Sequence, residues 1–195
     1  LSHIIADAIY KRVTGEDGYF DTRIAYVSET GPLNARVKRL AIMDQDGANA
    51  EFLLSGVNSV ITPRFSPSSQ TIIYGAYVPD PRNPRATLLR TYLYDIETGR
   101  QEVLGEGAGT TSYAARFSPD GRYVAMSREV NGNSDIYVVE LARRTERRLT
   151  TSTSIDTSPS YAPDGSRLCF EADRGGKPQI YVMSANGGPA QRISY

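Results

Sequence analysis

The two residue types that most often carry enzyme chemistry occur once each, as Cys169 and His3. A lone cysteine forms no intramolecular disulfide, and Cys169 sits in an apolar strand pattern, Leu168-Cys169-Phe170, where a buried thiol is expected. A Ser-His-Asp triad would have to recruit the near-terminal His3, and a zinc site needing several histidines is excluded. Neither the Gly-x-Ser-x-Gly elbow of a hydrolase nor a nucleotide-binding Gly-rich Lys loop is present. What remains is hydroxyl, carboxylate and guanidinium chemistry on short polar segments. These are Gly109-Thr110-Thr111-Ser112, Thr153-Ser154-Ile155-Asp156-Thr157, and the run Pro79-Asp80-Pro81-Arg82-Asn83-Pro84-Arg85. Such groups suit recognition of a partner rather than bond breaking. Asp156 and nearby carbonyls could offer oxygens to a calcium ion, but no ligand spacing selects one, so no cofactor is expected.

Composition narrows the partner further. Lys+Arg and Asp+Glu both total 22, giving zero formal net charge. Nucleic acid is disfavoured as the main partner, because phosphate binding draws on a basic surplus. No run approaches the ~18 apolar residues needed to cross a membrane, so direct insertion is not expected. Thirteen Tyr and no Trp fit a strand-rich chain.

The elements that position these groups are visible as an internal repeat. Arg64-Phe65-Ser66-Pro67 returns as Arg116-Phe117-Ser118-Pro119 and as Ser160-Tyr161-Ala162-Pro163. Each copy is followed by a turn signal, Ser68-Ser69, Asp120-Gly121 or Asp164-Gly165, where Gly adopts positive φ without steric cost. A second β-rich run follows: Thr71–Tyr74, Arg122–Met126, Arg167–Phe170. A third comes at Tyr92–Asp95, Ile136–Glu140 and Ile180–Met183, and a fourth at Gln101–Leu104, Glu146–Thr150 and Ala190–Ser194. Four short strands per ~44 residues is the period of a propeller blade, and the apolar spacing is not the 3.6-residue spacing of a helical solenoid. An earlier unit shows only the last three strands, at Ile24–Val27, Leu40–Asp44 and Glu51–Leu54.

The expected fold is therefore all-β, a β-propeller segment of four units at 20–57, 58–106, 107–151 and 152–195. Residues 1–19 hold one helix and a linker. Ile4, Ile5, Ala8, Ile9 and Val13 form its apolar stripe, Ser2 is a candidate N-cap, and Gly15 lies just past its end. The helix reads as the remnant of a preceding domain.

Antiparallel strands send alternate loops to alternate faces. The loop leading into strand one and the loop between strands two and three share a face, where the innermost strand lines the central channel. The candidate binding residues fall there: Thr111, Ser112, Tyr113, Ala114, Asp156 and Thr157, with Asn58-Ser59 leading the earlier copy. One blade is lengthened on this face, with 21 residues from Tyr74 to Asp95 against 14 in the two later copies. The Pro-rich insertion either presents Arg82 and Arg85 stiffly to a partner or is a tolerated surface insertion. Phe65, Phe117 and Tyr161 read as packing residues, and Asp120 and Asp164 as turn residues.

Thr22-Arg23-Ile24-Ala25-Tyr26-Val27, the Phe-Ser-Pro-Asp-Gly type turns, and Gly176-Lys177-Pro178-Gln179-Ile180-Tyr181 ending in Asn186-Gly187-Gly188-Pro189-Ala190-Gln191-Arg192-Ile193 closely resemble the TolB family. These are periplasmic propeller proteins of the bacterial Tol-Pal system. The likeness covers essentially the whole chain. It implies a six-bladed ring preceded by a small α/β domain, of which this chain holds four blades and one helix. It implies docking of the peptidoglycan-associated lipoprotein Pal at the channel mouth, and a role in outer-membrane integrity and cell division. Other Tol proteins would engage the region before the helix. Family contact positions align with Thr111, Ala114 and Thr157, and Thr111 stands where some members carry histidine.

Two rival readings are the gating propeller of a prolyl-oligopeptidase-like or tricorn-like peptidase, and a carbohydrate-binding propeller. The first needs a hydrolase domain with Ser, Asp and His, and the second usually uses Trp platforms; neither is found in this sequence. Four blades of six would expose two open β edges, so the isolated segment is expected to self-associate or to derive from a longer chain.

Overall fold

The computed structural model describes residues 2–55, 59–105, 107 and 109–195. Asn58, expected in a leading loop, lies outside the described residues, as do the blade boundary at 57/58 and residue 106 beside the next. Contacts group the chain into two compact units, residues 1–58 and 59–195.

The first unit combines helix α1 (Ser2–Thr14) with strands β1 (Arg23–Thr30), β2 (Val37–Asp44) and β3 (Glu51–Phe52). The strands form one antiparallel sheet in sequence order, matching the three expected runs. The helix ends where Gly15 takes φ of 79° and its N–H donates to the Lys11 carbonyl at 2.9 Å, an αL cap that only glycine adopts without strain. Lys11 and Arg12 sit in the last turn, favourably placed against the helix dipole. The Asp7 carboxylate accepts the Phe20 and Asp21 N–H groups at 2.7 and 3.0 Å, tying the following segment back to the helix. His3 is engaged with Asp46 at 3.1 Å. Leu40, Ala41 and Ile42 are fully buried.

The second unit holds three four-stranded antiparallel sheets, each in sequence order. They are β4 (Val60–Phe65), β5 (Thr71–Asp80), β6 (Asn83–Asp95) and β7 (Gln101–Val103); β8 (Thr111–Phe117), β9 (Tyr123–Val130), β10 (Asn133–Glu140) and β11 (Thr145–Arg148); β12 (Asp156–Tyr161), β13 (Arg167–Ala172), β14 (Gln179–Ser184) and β15 (Gln191–Arg192). Each first hairpin closes through a tight turn. The Gly121 N–H donates to the Ser118 carbonyl and the Gly165 N–H to the Ala162 carbonyl, both at 2.9 Å, with φ of 72° and 71°. Asp120 stiffens its turn by accepting from the Ser118 hydroxyl at 2.5 Å and the Arg122 N–H at 3.0 Å.

Strand periodicity explains how the sheets stack. Successive side chains point to opposite faces. Val124 and Met126 of β9 therefore join Ile73, Leu93 and Leu104 of the preceding sheet, while Ala125 joins Leu168, Phe170 and Met183 of the following one. The middle sheet is apolar on both faces because it is covered on both. The same alternation turns Cys169, between Leu168 and Phe170, away from that core. Its thiol is free and half-buried, rather than buried as expected.

The insertion departs from its expected form. The extra residues lengthen a hairpin, with β5 running to Asp80 and β6 starting at Asn83, and only Pro81 and Arg82 form the turn. Pairing shifts between Pro79↔Thr87 and Asp80↔Asn83, so Pro84, Arg85 and Ala86 form a bulge. The proline content is absorbed because both Pro79 and Pro84 lie where the ladder is already interrupted. No helix among the described residues is long and apolar enough to cross a membrane.

Candidate functional site

The first strands of successive sheets approach one another, β4 against β8 and β8 against β12. Each carries the same defect. Thr62, Ala114 and Ser158 have φ of 48°, 54° and 56°, and the pairing register shifts across each of them. All three stand three residues before the repeated aromatic. A bulge of this kind bends the strand and re-aims its side chains, and non-Gly residues held in αL mark a site the surroundings over-determine.

The expected leading loops are thus strand in part: Thr111, Ser112, Tyr113 and Ala114 belong to β8, and Asp156 and Thr157 to β12. Hydroxyl contacts bring the two together. Tyr113 pairs with Ser127 across the β8–β9 ladder. The Ser127 hydroxyl lies 3.2 Å from Thr157 Oγ1 and accepts the Ser158 N–H at 2.9 Å. Tyr113 OH lies 3.0 Å from the Ser134 hydroxyl in β10. The half-buried Thr111, Tyr113, Ala114 and Thr157 therefore form one partly accessible patch across two blades.

Two of the expected contact residues serve the interior. Ser112 is 3 % exposed, and its hydroxyl accepts the Thr91 N–H from the neighbouring sheet at 2.9 Å. Asp156 is 0 % exposed and receives the Arg174 guanidinium at 2.7 and 3.2 Å. Both point to the buried side by the same alternation that leaves Tyr113 and Thr157 accessible. Both Asp156 oxygens thus accept from Arg174. Among the described residues no group of three or more His, Cys, Asp or Glu is placed to hold a metal.

Arg82 and Arg85 play different parts. Arg82 folds back on Asp80 at 3.4 Å and donates to the Gly109 carbonyl of the following blade. Gly109, at φ of 77°, lies directly under that guanidinium, and a Cβ there would collide with it. Arg85 stays exposed in the hairpin bulge, its N–H held by the Asn83 side chain at 3.2 Å. Asn133 repeats the bridging device one blade on, donating to the Ser152 carbonyl at 3.0 Å. The hairpin between strands two and three thus grips the segment leading into the next blade. Sequence reading missed Asn133, Ser127, Thr62 and Ser158, and it named Ala114 without its strained backbone. The constant offset of Thr62, Ala114 and Ser158 from the aromatic was a visible signal; Ser127 and Asn133 gave none.

Sheets in sequence order, first strands side by side and cores shared between neighbouring sheets define the second unit as β-propeller architecture. The family model described as TolB beta propeller domain matches residues 10–195, and the chain belongs to this family. A curated relative, Tol-Pal system protein TolB of Gluconobacter oxydans, is 53 % identical over 152 residues, which make up 78 % of this chain and 32 % of that protein. The chain thus spans about a third of that relative's length. The crystal structure of TolB from Acinetobacter baumannii is 35 % identical with a TM-score of 0.77, over 99 % of this chain and 46 % of that one. An oligogalacturonate lyase solved in complex with manganese shares the fold alone, at 16 % identity and a TM-score of 0.70, over 89 % of this chain and 50 % of that one.

Proposed function

We propose that the chain is a non-catalytic docking scaffold of the Tol-Pal system, working in the periplasm. It binds the lipoprotein Pal on the patch formed by Thr111, Tyr113, Ala114 and Thr157. Arg85, exposed in the preceding blade's hairpin, is a further contact in this reading, and Ser112, Asp156 and Arg82 hold the surrounding backbone in place. Docking requires no cofactor, and it serves outer-membrane integrity and cell division.

The observation that carries this reading is the bulge repeated at Ala114 and Ser158, bridged by Ser127, in a chain 53 % identical to a Tol-Pal TolB. A rigid surface held by backbone strain and paired hydroxyls loses little entropy on binding, which favours a preorganised protein interface. Tyr113 brings large contact area with few rotors and is the expected hot spot. The Ser112, Tyr113, Ser127 and Thr157 hydroxyls bond to backbone amides or to other hydroxyls, an arrangement that supports binding.

Calorimetric titration of purified Pal into the chain tests this. Parent chain is expected to bind, and Thr157→Arg, checked for folding by circular dichroism, to abolish binding. Equal binding by parent and folded variant would remove the patch from the interface.

A further inference from the structure

Arg64 and Arg116 occupy the same place in two successive sheets, one residue before the aromatic that ends β4 and β8, and Ser160 holds that place in β12. With Phe65, Phe117 and Tyr161 they border one recess of about 310 Å³. It lies at the opposite end of the inner strands from Thr111 and Asp156, away from the docking patch.

The half-buried Arg128 and Arg174 are held by Glu146 and Asp156. Among the described residues neither Arg64 nor Arg116 has a carboxylate partner, and Arg116 donates only to the adjacent Ala115 carbonyl, at 2.9 Å. Burial and then the neighbouring Arg64 charge weaken the hold of Arg116 on its proton. A half-buried guanidinium beside a like charge is unfavourable, and an anion between the two relieves both terms.

We propose that this recess is an oxyanion site. It takes a carboxylate or phosphate group between the Arg64 and Arg116 guanidiniums, with the Ser160 hydroxyl as a further donor. The ligand's apolar part packs on Phe65, Phe117 and Tyr161. The planar forks of arginine suit either anion bidentately, and the two repeats supply them in parallel.

Thermal unfolding of the 195-residue chain in sodium phosphate, sodium succinate or sodium chloride at matched ionic strength tests the site and separates the two anion types. At least one of the first two is expected to raise the midpoint over chloride, by about 2–4 °C once the anion reaches about five times its Kd. Arg64→Gln and Arg116→Gln are expected to lose that rise while matching or exceeding the parent midpoint in chloride, because each removes a repulsion. An identical rise in parent and variants would mark a general salt effect and overturn the proposal, as would no rise with either anion. A clear fall of both variants in chloride would make the guanidiniums structural and overturn it as well.

Discussion

Thr62, Ala114 and Ser158 hold left-handed backbone at one position in three successive first strands. An L-residue there costs about 1–2 kcal/mol, and β-branched Thr62 is the most crowded of the three. Substitution by glycine normally weakens a strand, yet at these positions the sign reverses. Ala114→Gly and Ser158→Gly are expected to be neutral to stabilising by up to about 1 kcal/mol, and Thr62→Gly to gain most, read from urea midpoints at constant slope. A loss in all three would mean that their side-chain contacts outweigh the strain. The repeat made these positions findable, but their conformation was not legible. It follows from a register shift between paired strands, a relation between two segments that neither residue type reveals. Ser112 and Asp156 teach the same lesson: residue type favours the surface, and pairing register places them inside.

At the scale of the element, the Ser-Pro-Asp-Gly turn was readable because its residues specify the reversal locally. The hydrogen bond from the Ser118 hydroxyl, and then that from the Arg122 N–H, hold the Asp120 carboxyl below its ordinary value of 3.8. A carboxylate so depressed contributes stability that is fully present above pH 3.8 and lost as pH falls through its lower folded value. Asp120→Asn is therefore expected to cost less than about 1 kcal/mol at neutral pH, since the group is exposed, with the deficit shrinking towards pH 2. Urea unfolding of both proteins at pH 7 and at low pH checks this; a deficit independent of pH would assign the cost to geometry rather than charge. The Pro79–Arg85 run was less legible. Its prolines suggest a stiff loop, whereas pairing with residues up to eight positions away extends both strands and leaves only Pro81 and Arg82 to turn.

For the molecule as a whole, the second unit coheres through cores that lie between sheets rather than within them. Phe170 is 1 % exposed and packs with Ala125, Ile136 and Val138 of the adjacent blade as well as with its own Leu168 and Met183. Phe170→Ala is expected to cost about 3–5 kcal/mol, the range for an aromatic removed from a packed core. Hydrogen exchange should then show β9 and β10 losing protection together with β13 and β14, as blades that share a core open together. Loss confined to β13 and β14 would show each sheet unfolding alone.

The sequence by itself determined the blade count, the strand order, the helix and its glycine cap, the turns and the family, because all of these rest on local signals: period-2 alternation, turn residues and a ~44-residue repeat. Only the tertiary structure decided which hydroxyls and charges are accessible, which are spent holding blades together, and where two arginines stand without a carboxylate partner among the described residues. Those properties arise when segments some 20 to 50 residues apart meet across a blade or between blades, and the hydrogen-bonding capacity of a side chain is assigned only by the neighbour it meets.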